Sequence, residues 1–200
     1  SRSKTEGNLE EDYMTGLLKE IETRRAYRGI SDAPIEAEVQ DRILTAATYA
    51  PSCSNKQPWR FIVANSEAAR QKVHEGLLGG NYWAKKAPVF VLAATKASLD
   101  CNLKENREYA LFDVGQAVMS MQYQAVHEGL VIHPMAGFKD KDLKELFNIP
   151  DDYILITVIA IAHPGDDAEL SDKHKELEHS TRSRVDQEQV IAMNEWKFKE

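Results

Sequence analysis

The segment PVFVLAAT, residues 88–95, decides which folds are open to this chain. It is apolar almost without interruption over the length of one strand, which is typical of a strand covered on both faces of a sheet. The segment YILITVIAIAHPG, residues 153–165, is a longer run of the same kind. Together they predict a central sheet that is enclosed between two layers.

Helical segments alternate with the strands along the chain. Apolar residues at helical spacing predict helices that bury one face, and shorter apolar runs predict two further strands. This alternation favours an α+β or α/β domain around one mixed sheet. The helices are expected at 8–25, 36–49, 66–78 and 139–149, and the shorter strands at 59–64 and 130–135.

The segment 106–129 is expected to form a long, buried helix. Its apolar residues go most of the way round the helix, which therefore needs cover on nearly all sides. In a chain of 200 residues, a subunit interface is a natural place for such a helix. Gly115 lies in its middle at a cost of about 1 kcal/mol relative to alanine, so close packing against this glycine is expected.

The ends of the chain differ from this single domain in composition. Residues 1–7 are expected to be disordered or to come from cloning. Residues 166–181 are highly charged and nearly without large apolar groups, which predicts an exposed linker. Residues 182–200 regain apolar and aromatic side chains and are expected to form a C-terminal arm that docks on another surface.

The composition narrows the class of partner. A formal net charge of −7 disfavours nucleic acid or an anionic membrane as the main partner. No apolar run approaches the roughly 20 residues that cross a bilayer, and the first residues lack an apolar signal core. The two cysteines, Cys53 and Cys101, could pair, but a dense disulfide framework is missing. A reducing, cytoplasmic compartment is therefore expected.

Few side chains suggest chemistry when taken alone. Cys53 is expected to fill space, Asp113 to be a hydrogen-bonded buried carboxylate, and His133 to be a satisfied structural histidine. His174 and His179 lack metal-ligand spacing, and the chain has neither a phosphate loop nor a dinucleotide fingerprint. Three basic clusters stand out in an acidic chain, although each alone is typical of solvated charge. They are Arg24, Arg25 and Arg28; Lys85 and Lys86; and Arg182 and Arg184.

Five segments taken together are more specific than any cluster. In order and spacing they resemble the FMN-dependent nitroreductase family from about Leu17 to Ile191. The resemblance implies an α+β, three-layer fold with a mixed, mainly antiparallel sheet, a long helix at a dimer interface and an extended C-terminal arm. The segments are RRAYR (24–28), APSCSNKQPWRF (50–61), NYWAKKAPVFVL (81–92), DVGQAVMSMQYQAVHEGLVIHPMAGF (113–138) and RSRVDQEQVI (182–191).

The resemblance implies an FMN site with three parts. Arginines hold the phosphate, a small polar loop from the other subunit wraps the flavin, and backbone N–H groups face flavin N5 and O4. Arg28 would face the pyrimidine end, and Asn81 would reach the flavin edge. Ala26 stands where serine is usual, so one phosphate contact is expected to be missing. The phosphate residues are Arg24, Arg182 and Arg184, with Arg25 adjacent; the loop is Pro51, Ser52, Cys53 and Asn55; the backbone segment is Pro134, Met135, Ala136 and Gly137.

The implied activity needs no catalytic side chain. NADH or NADPH would give hydride to flavin N5, and a nitroaromatic, quinone or similar acceptor would then take the electrons at the same site, in a ping-pong mechanism. Three alternatives stay open: another flavin reaction such as dehydrogenation or dehalogenation, a non-enzymatic flavin-binding or sensing protein, and an interaction domain whose arginines are only surface charge.

Overall fold

The computed structural model describes residues 16–198. The helices form where apolar residues repeat every three or four positions, and the two central strands form where the sequence is apolar almost without interruption. Six α-helices and four strands lie within the described residues. The helices are α1 (Lys19–Thr23), α2 (Ala37–Thr48), α3 (Glu67–Gly76), α4 (Tyr109–His127), α5 (Asp140–Leu146) and α6 (Asp172–His179); the strands are β1 (Arg60–Ala64), β2 (Val89–Thr95), β3 (Val131–Met135) and β4 (Ile154–Ala162).

The four strands form one sheet in the order β1-β2-β4-β3. All three neighbouring pairs are antiparallel, so the predicted sheet is confirmed but its expected mixed character is wrong for the described residues. The two apolar segments that defined the fold are the central strands, and every residue of β2 is buried. Their lack of alternation follows from cover on both faces.

The two faces of the sheet carry separate cores, which makes the expected three layers. One face packs against α3, α5 and the 3₁₀ segment Gly79–Lys86 through residues such as Phe90, Leu92 and Leu143. The other face packs against α2 and α4 through residues such as Val91, Ile159 and Met121. The helices on each face position different parts of the candidate site.

The first helix is shorter than predicted. The expected helix 8–25 begins only at Lys19 among the described residues, and its N-terminal half, like residues 1–7, lies outside them. Gly16 has a φ of +70°, in the left-handed region, which a right-handed helix does not contain. Helix α3, by contrast, begins where predicted, because the Ser66 hydroxyl accepts a hydrogen bond from the N–H of Ala69.

Residues 166–181, which were expected to be an exposed linker, are mostly exposed but contain helix α6. Ser171 caps the helix by accepting a hydrogen bond from the N–H of His174. The segment is then held by polar contacts. The Tyr82 hydroxyl accepts a hydrogen bond from the N–H of Ser171, and the Glu178 carboxylate accepts from the N–H groups of Arg28 and Gly29. Because polar contacts hold this helix in place, its sequence lacks the apolar periodicity from which helices are predicted.

Helix α4 is only partly covered by its own chain. Leu111 and Phe112 are 41% and 55% exposed, and Gly115 is exposed as well. A Cβ added at Gly115 would meet no atom within 4 Å. The close packing expected at this glycine is therefore not made by residues 16–198.

The arm that follows α6 is exposed over most of its length. It contains one 3₁₀ turn, Gln187–Gln189, and its apolar side chains find no cover within the described chain. Between residues 16 and 198, none of the helices has the length and apolar character needed to cross a membrane. The exposed apolar side chains of the arm are Val185, Val190, Ile191, Met193 and Trp196.

Candidate functional site

Three arginines that are distant in sequence come together at the end of α1. The guanidinium of Arg182 donates hydrogen bonds to the carbonyls of Ile21 and Arg24, which fixes the start of the arm against that helix. Burial, followed by the charges of Arg182 and Arg184, lowers the pKa of Arg24. No salt bridge among residues 16–198 involves any of the three. Like charges gathered without a carboxylate are suited to an anion with several acceptor oxygens, such as a phosphate.

The other residues of the RRAYR segment lie around this cluster. Arg25 points towards α6, where it donates hydrogen bonds to the Leu177 carbonyl and the Ser180 hydroxyl, and its guanidinium lies over the Tyr27 ring. Ala26 is exposed. Arg25 is therefore engaged by its own chain, while Arg24 is the member of the pair that faces Arg182 and Arg184.

Arg28 lines a cleft of about 270 Å³ beside the aromatic residues of the 3₁₀ segment. Its backbone N–H is bound by Glu178 at 2.6 Å, which orients the chain at this point. Tyr82 stacks on the His174 ring, with a centroid distance of 5.5 Å, and Lys86 pairs with Glu169 at 2.6 Å. Asp166, Glu169 and Leu170, which precede α6, form one wall of the cleft, and Lys85 and Lys86 add two further positive charges to its lining.

His133 lies behind Arg24 and Arg28. Its Nδ1 lies 3.0 Å from the Tyr27 carbonyl, and its ring lies 4.6 Å from that of Trp83. Burial lowers the pKa of His133 to about 4, and the nearby charges of Arg28 and Arg24 act in the same direction. A neutral ring with N–H on Nδ1 donates to the carbonyl, which confirms a structural histidine.

This depressed pKa should make stability fall below neutral pH. An unfolded chain takes up a proton at His133 below about pH 6.5, whereas the folded chain does so only near the folded pKa of about 4. The contribution, about 3 kcal/mol, is complete above pH 6.5 and is lost as the pH falls from about 6.5 to 4. We expect urea unfolding of His133→Gln to depend less on pH across this window than that of wild type. Equal slopes would contradict the depressed pKa.

Backbone donors of the expected kind lie at the end of β3. The Asn81 amide donates to the Gly137 carbonyl at 2.8 Å, and a Cβ at Gly137 would lie 2.9 Å from the same Nδ2 atom. A side chain at position 137 would therefore require the Asn81 amide to shift. Outside the strand ladders, no hydrogen bond among the described residues uses the N–H of Ala136 or Gly137. The exposed Ala136 and the half-buried Gly137 are therefore the candidate backbone donors at this turn.

The two residues before these donors serve the sheet. The Met135 side chain is buried in the core, and its carbonyl accepts a hydrogen bond from the Thr157 hydroxyl at 2.9 Å. Pro134 is half-buried in the same strand. Any contact that Met135 makes with a cofactor must therefore come from its backbone.

The polar loop before β1 is held in an unusual backbone conformation. Ser54, Asn55 and Gln57 have φ values of 47°, 54° and 49°, in the left-handed region that costs most L-residues about 1 kcal/mol or more. The Gln57 N–H donates to the Ser52 hydroxyl, and its side-chain amide donates to the Asn55 carbonyl. Pro51 is exposed, so the loop presents small polar groups outward, as expected.

The pairing of Cys53 with Cys101, which the sequence left open, is present in the structure as a disulfide. The two Cα atoms are 6.0 Å apart and 48 positions apart in sequence. Asp113 is fully buried beneath the loop, where it accepts hydrogen bonds from the Cys53 N–H at 2.9 Å and the Gln116 amide at 2.9 Å. The predicted role of Asp113 as a hydrogen-bonded carboxylate is confirmed.

One chain does not bring all the predicted residues together. The loop before β1 and the turn after β3 lie at the same end of the sheet but at its opposite edges. Because neighbouring strands are about 4.8 Å apart, the two edges are separated by about 14 Å. The arginine cluster, the Arg28 cleft and the Asn81–Gly137 turn lie on the β3 side, while residues 51–57 lie on the β1 side.

Sequence reasoning missed several residues around the site. Glu178, Tyr82 and His174 were not predicted, because their contacts depend on a helix that has no apolar signature. Asp100, which lies beside the disulfide, was also missed. A signal for α6 was nevertheless present in Ser171 followed by Asp172, which is typical of a helix start.

The fold and site define a class: an α+β domain whose arginine cluster and exposed backbone donors are suited to a phosphorylated planar cofactor. The nitroreductase family model matches residues 21–81 and 73–163, and the chain belongs to the Nitroreductase family. A protein from Archaeoglobus fulgidus, named as an NADH dehydrogenase/NAD(P)H nitroreductase, is 31% identical over 163 residues, which cover 78% of this chain and 90% of that relative.

Two further similarities agree with this assignment. The Bacillus subtilis protein named FMN reductase [NAD(P)H] is 27% identical over 169 residues, covering 76% of this chain and 68% of the relative. A solved structure described as an oxidoreductase containing FMN superposes with a TM-score of 0.80 at 29% identity. It covers 98% of this chain and 100% of that chain.

Proposed function

We propose that this protein is an FMN-dependent oxidoreductase that uses NADH or NADPH to reduce nitroaromatic, quinone or similar electron-poor acceptors. The observation that carries the proposal is the cluster of Arg24, Arg182 and Arg184, for which residues 16–198 supply no salt-bridge partner, in a chain with a net charge of −7. Names of relatives that refer to FMN and NAD(P)H support the same cofactor and donor.

The residues of the chain would bind and orient the cofactor. The arginine cluster would hold the phosphate, and the N–H groups of Ala136 and Gly137 would face the reactive edge of the ring. Arg28 would place positive charge near the pyrimidine end, where it favours the reduced, anionic cofactor. FMN, when bound, supplies the carrier that takes hydride from the donor and passes electrons to the acceptor. In this proposal no acidic or basic side chain is needed.

A homodimer is part of the proposal. Residues 51–55 lie about 14 Å across the sheet from the other groups, so we infer that they complete the site of a second copy. The exposed stripe of Leu111, Phe112 and Gly115 on α4 and the exposed arm support an interface between two copies. Permanent dimers bury large apolar surfaces of this kind.

A cytoplasmic location also belongs to the proposal. Two cysteines in 200 residues are unlike the dense disulfide frameworks of small secreted domains. Disulfides in cytosolic proteins are usually transient and act in catalysis or redox sensing. The disulfide found here would then be expected to open and close.

The proposal predicts a yellow protein that NAD(P)H bleaches. We expect the released cofactor to co-elute with FMN and not FAD, at one per subunit. Steady-state rates with a quinone or nitroaromatic should give parallel double-reciprocal lines, because donor and acceptor use one site in turn. A protein that binds FMN but does not turn over with either donor would be a flavin-binding or sensing protein, and a colourless protein that ignores added FMN would refute the proposed function.

A further inference from the structure

The disulfide between Cys53 and Cys101 joins the polar loop before β1 to the segment that follows β2. Cys53 begins the 3₁₀ turn of the polar loop, and Cys101 follows the 3₁₀ turn Ala97–Leu99 that comes directly after β2. Both cysteines are half-buried, so a small thiol can reach the bond from solvent. The disulfide therefore links the conformation of the polar loop to a group that can be oxidised and reduced.

Two buried carboxyl groups hold the backbone on either side of this bond. Asp113 accepts the N–H of Cys53 at 2.9 Å, and Asp100 accepts the N–H of Cys101 at 2.7 Å. The side chain of Asp100 is 92% buried, as its relative exposure is 8%, and its Oδ2 has no hydrogen-bond donor among the described residues. An ionised carboxylate in such a place is costly unless it binds a proton or a cation.

Asp100 is the member of the pair that is suited to hold a proton. Burial and the adjacent Asp113 raise the pKa of Asp100, whereas the Cys101 N–H and the charge of Lys56 act in the opposite direction. An oxygen of Asp100 and both sulfur atoms lie within 4.8 Å of one another. A proton on Asp100 would therefore lie next to the sulfur atoms that become thiolates when the disulfide opens.

We propose that Cys53–Cys101 is an exchangeable redox site, in which Asp100 donates a proton to the departing sulfur and reduction releases the polar loop. The proposed thiol–disulfide exchange is argued from residues of this chain alone and does not depend on FMN binding. Its effect on FMN rests on the proposed function, in which residues 51–55 contact the cofactor of the second copy.

The reductant is a dithiol, and the step balances as thiol–disulfide exchange. One thiolate of the dithiol attacks a protein sulfur, the Cys53–Cys101 bond breaks, and the released thiolate takes the proton of Asp100. The second thiol of the dithiol then resolves the mixed disulfide and leaves as part of an oxidised, cyclic product. The protein gains two electrons and two protons in total, and Asp100 recovers its proton from solvent.

Opening the bond should loosen the loop, because the disulfide is one of the few restraints on its left-handed residues. The remaining restraints are hydrogen bonds: the Asp113 carboxylate accepts from the Cys53 N–H, and the Asn55 and Gln57 N–H groups donate to the carbonyl and hydroxyl of Ser52. Thermodynamic linkage then requires a reciprocal effect: if the oxidised form binds FMN tenfold tighter, bound FMN makes the disulfide harder to reduce by the same factor. A tenfold factor corresponds to about 30 mV for a two-electron couple.

The test measures exchange and FMN binding separately on the full-length protein. Native protein is equilibrated with mixtures of reduced and oxidised dithiothreitol, and its thiols are counted by alkylation and mass spectrometry, with and without saturating FMN. We expect reversible two-thiol reduction, an FMN dissociation constant about tenfold higher for the reduced form, and a matching shift of the midpoint by about 30 mV. A native disulfide that resists reduction, or equal FMN affinity in both states, would overturn the proposal.

Variants separate the two parts of the proposal. Asp100→Asn keeps the side-chain shape but removes the proton, so the exchange rate should fall about tenfold or more and lose its acid-dependent limb. Asp151→Asn, an exposed control in the turn before β4, should leave the rate unchanged. Equal rates for Asp100→Asn and wild type would overturn the role of Asp100.

The oxidised loop should also be better ordered, whether or not FMN binds. Hydrogen exchange at residues 53–57 should be faster in the reduced protein and in Cys101→Ser, which opens the bond permanently. If neither redox state binds FMN, the proposed function fails. The hydrogen-exchange measurement still decides whether the disulfide controls the order of the polar loop. If hydrogen exchange at residues 53–57 were unchanged after reduction of the wild type, the disulfide would not control the order of the loop. This outcome decides the question even if Cys101→Ser does not fold.

Discussion

Replacing Arg184 and Arg182 together with alanine should weaken FMN binding at least 100-fold, while riboflavin binding should change by less than about threefold. Each charge-assisted contact to a phosphate contributes about 1.5–3 kcal/mol where it is desolvated, and about 1.4 kcal/mol is a factor of ten. Riboflavin lacks the phosphate, so it reports any damage to the rest of the site. Fluorescence titration of the apoprotein with both ligands makes the comparison.

Single variants show which part of the effect is electrostatic. Arg182 also docks the arm through the carbonyls of Ile21 and Arg24, so its loss can shift the arm as well as remove a charge. Arg184→Ala lacks this complication, because its only hydrogen bond among the described residues is to the neighbouring Ser183 carbonyl. Arg107→Ala, an exposed arginine before α4, serves as the charge-matched control.

Arg25→Ala tests which role Arg25 has: contact with α6, as in the structure, or contact with the phosphate, as the family resemblance implies. In the structure Arg25 binds the end of α6, so its loss should affect that helix more than FMN affinity. If Arg184→Ala and Arg182→Ala weaken FMN and riboflavin equally, the cluster does not hold the phosphate.

The layers of the fold could be predicted because apolar pattern alone specifies them. The buried run at 88–95 became β2, the run at 153–165 became β4, and α2 and α3 ended within two residues of their expected bounds. Strand order and the fully antiparallel pairing could not be predicted, since apolar pattern does not say which strand lies beside which. Helix α6 was missed because Glu178, Tyr82 and His174 hold it through polar contacts.

The sequence predicted which residues belong to the candidate site, but it did not predict their arrangement in space. The five segments identified Arg24, Asn81 and Gly137, which the structure places on one side of the sheet. The Cys53–Cys101 pairing depends on the position of a loop 48 residues away, and no spacing rule encodes it. The placement of residues 51–57 at the opposite edge is likewise a property of the sheet order.

Gly115→Leu should convert the proposed dimer into a folded monomer that has lost most of its FMN affinity. Among the described residues of its own subunit, a Cβ at position 115 meets nothing within 4 Å, and leucine favours helix over glycine by roughly 1 kcal/mol. The subunit itself should therefore tolerate the change. Against a second copy packed on the exposed stripe with Leu111 and Phe112, the larger side chain should prevent close approach.

Loss of FMN should follow from loss of the dimer, because residues 51–55 of one copy are proposed to complete the site of the other. Analytical ultracentrifugation, circular dichroism and FMN titration of the same sample would measure mass, fold and binding together. Gly115→Ala is the matched control: it adds one methyl group and a similar gain in helix propensity, so it should remain dimeric and bind FMN within about threefold of wild type. A Gly115→Leu protein that stays dimeric would show that the interface lies elsewhere. A Gly115→Leu monomer with wild-type FMN affinity would show that one chain completes the site, although its two halves are about 14 Å apart.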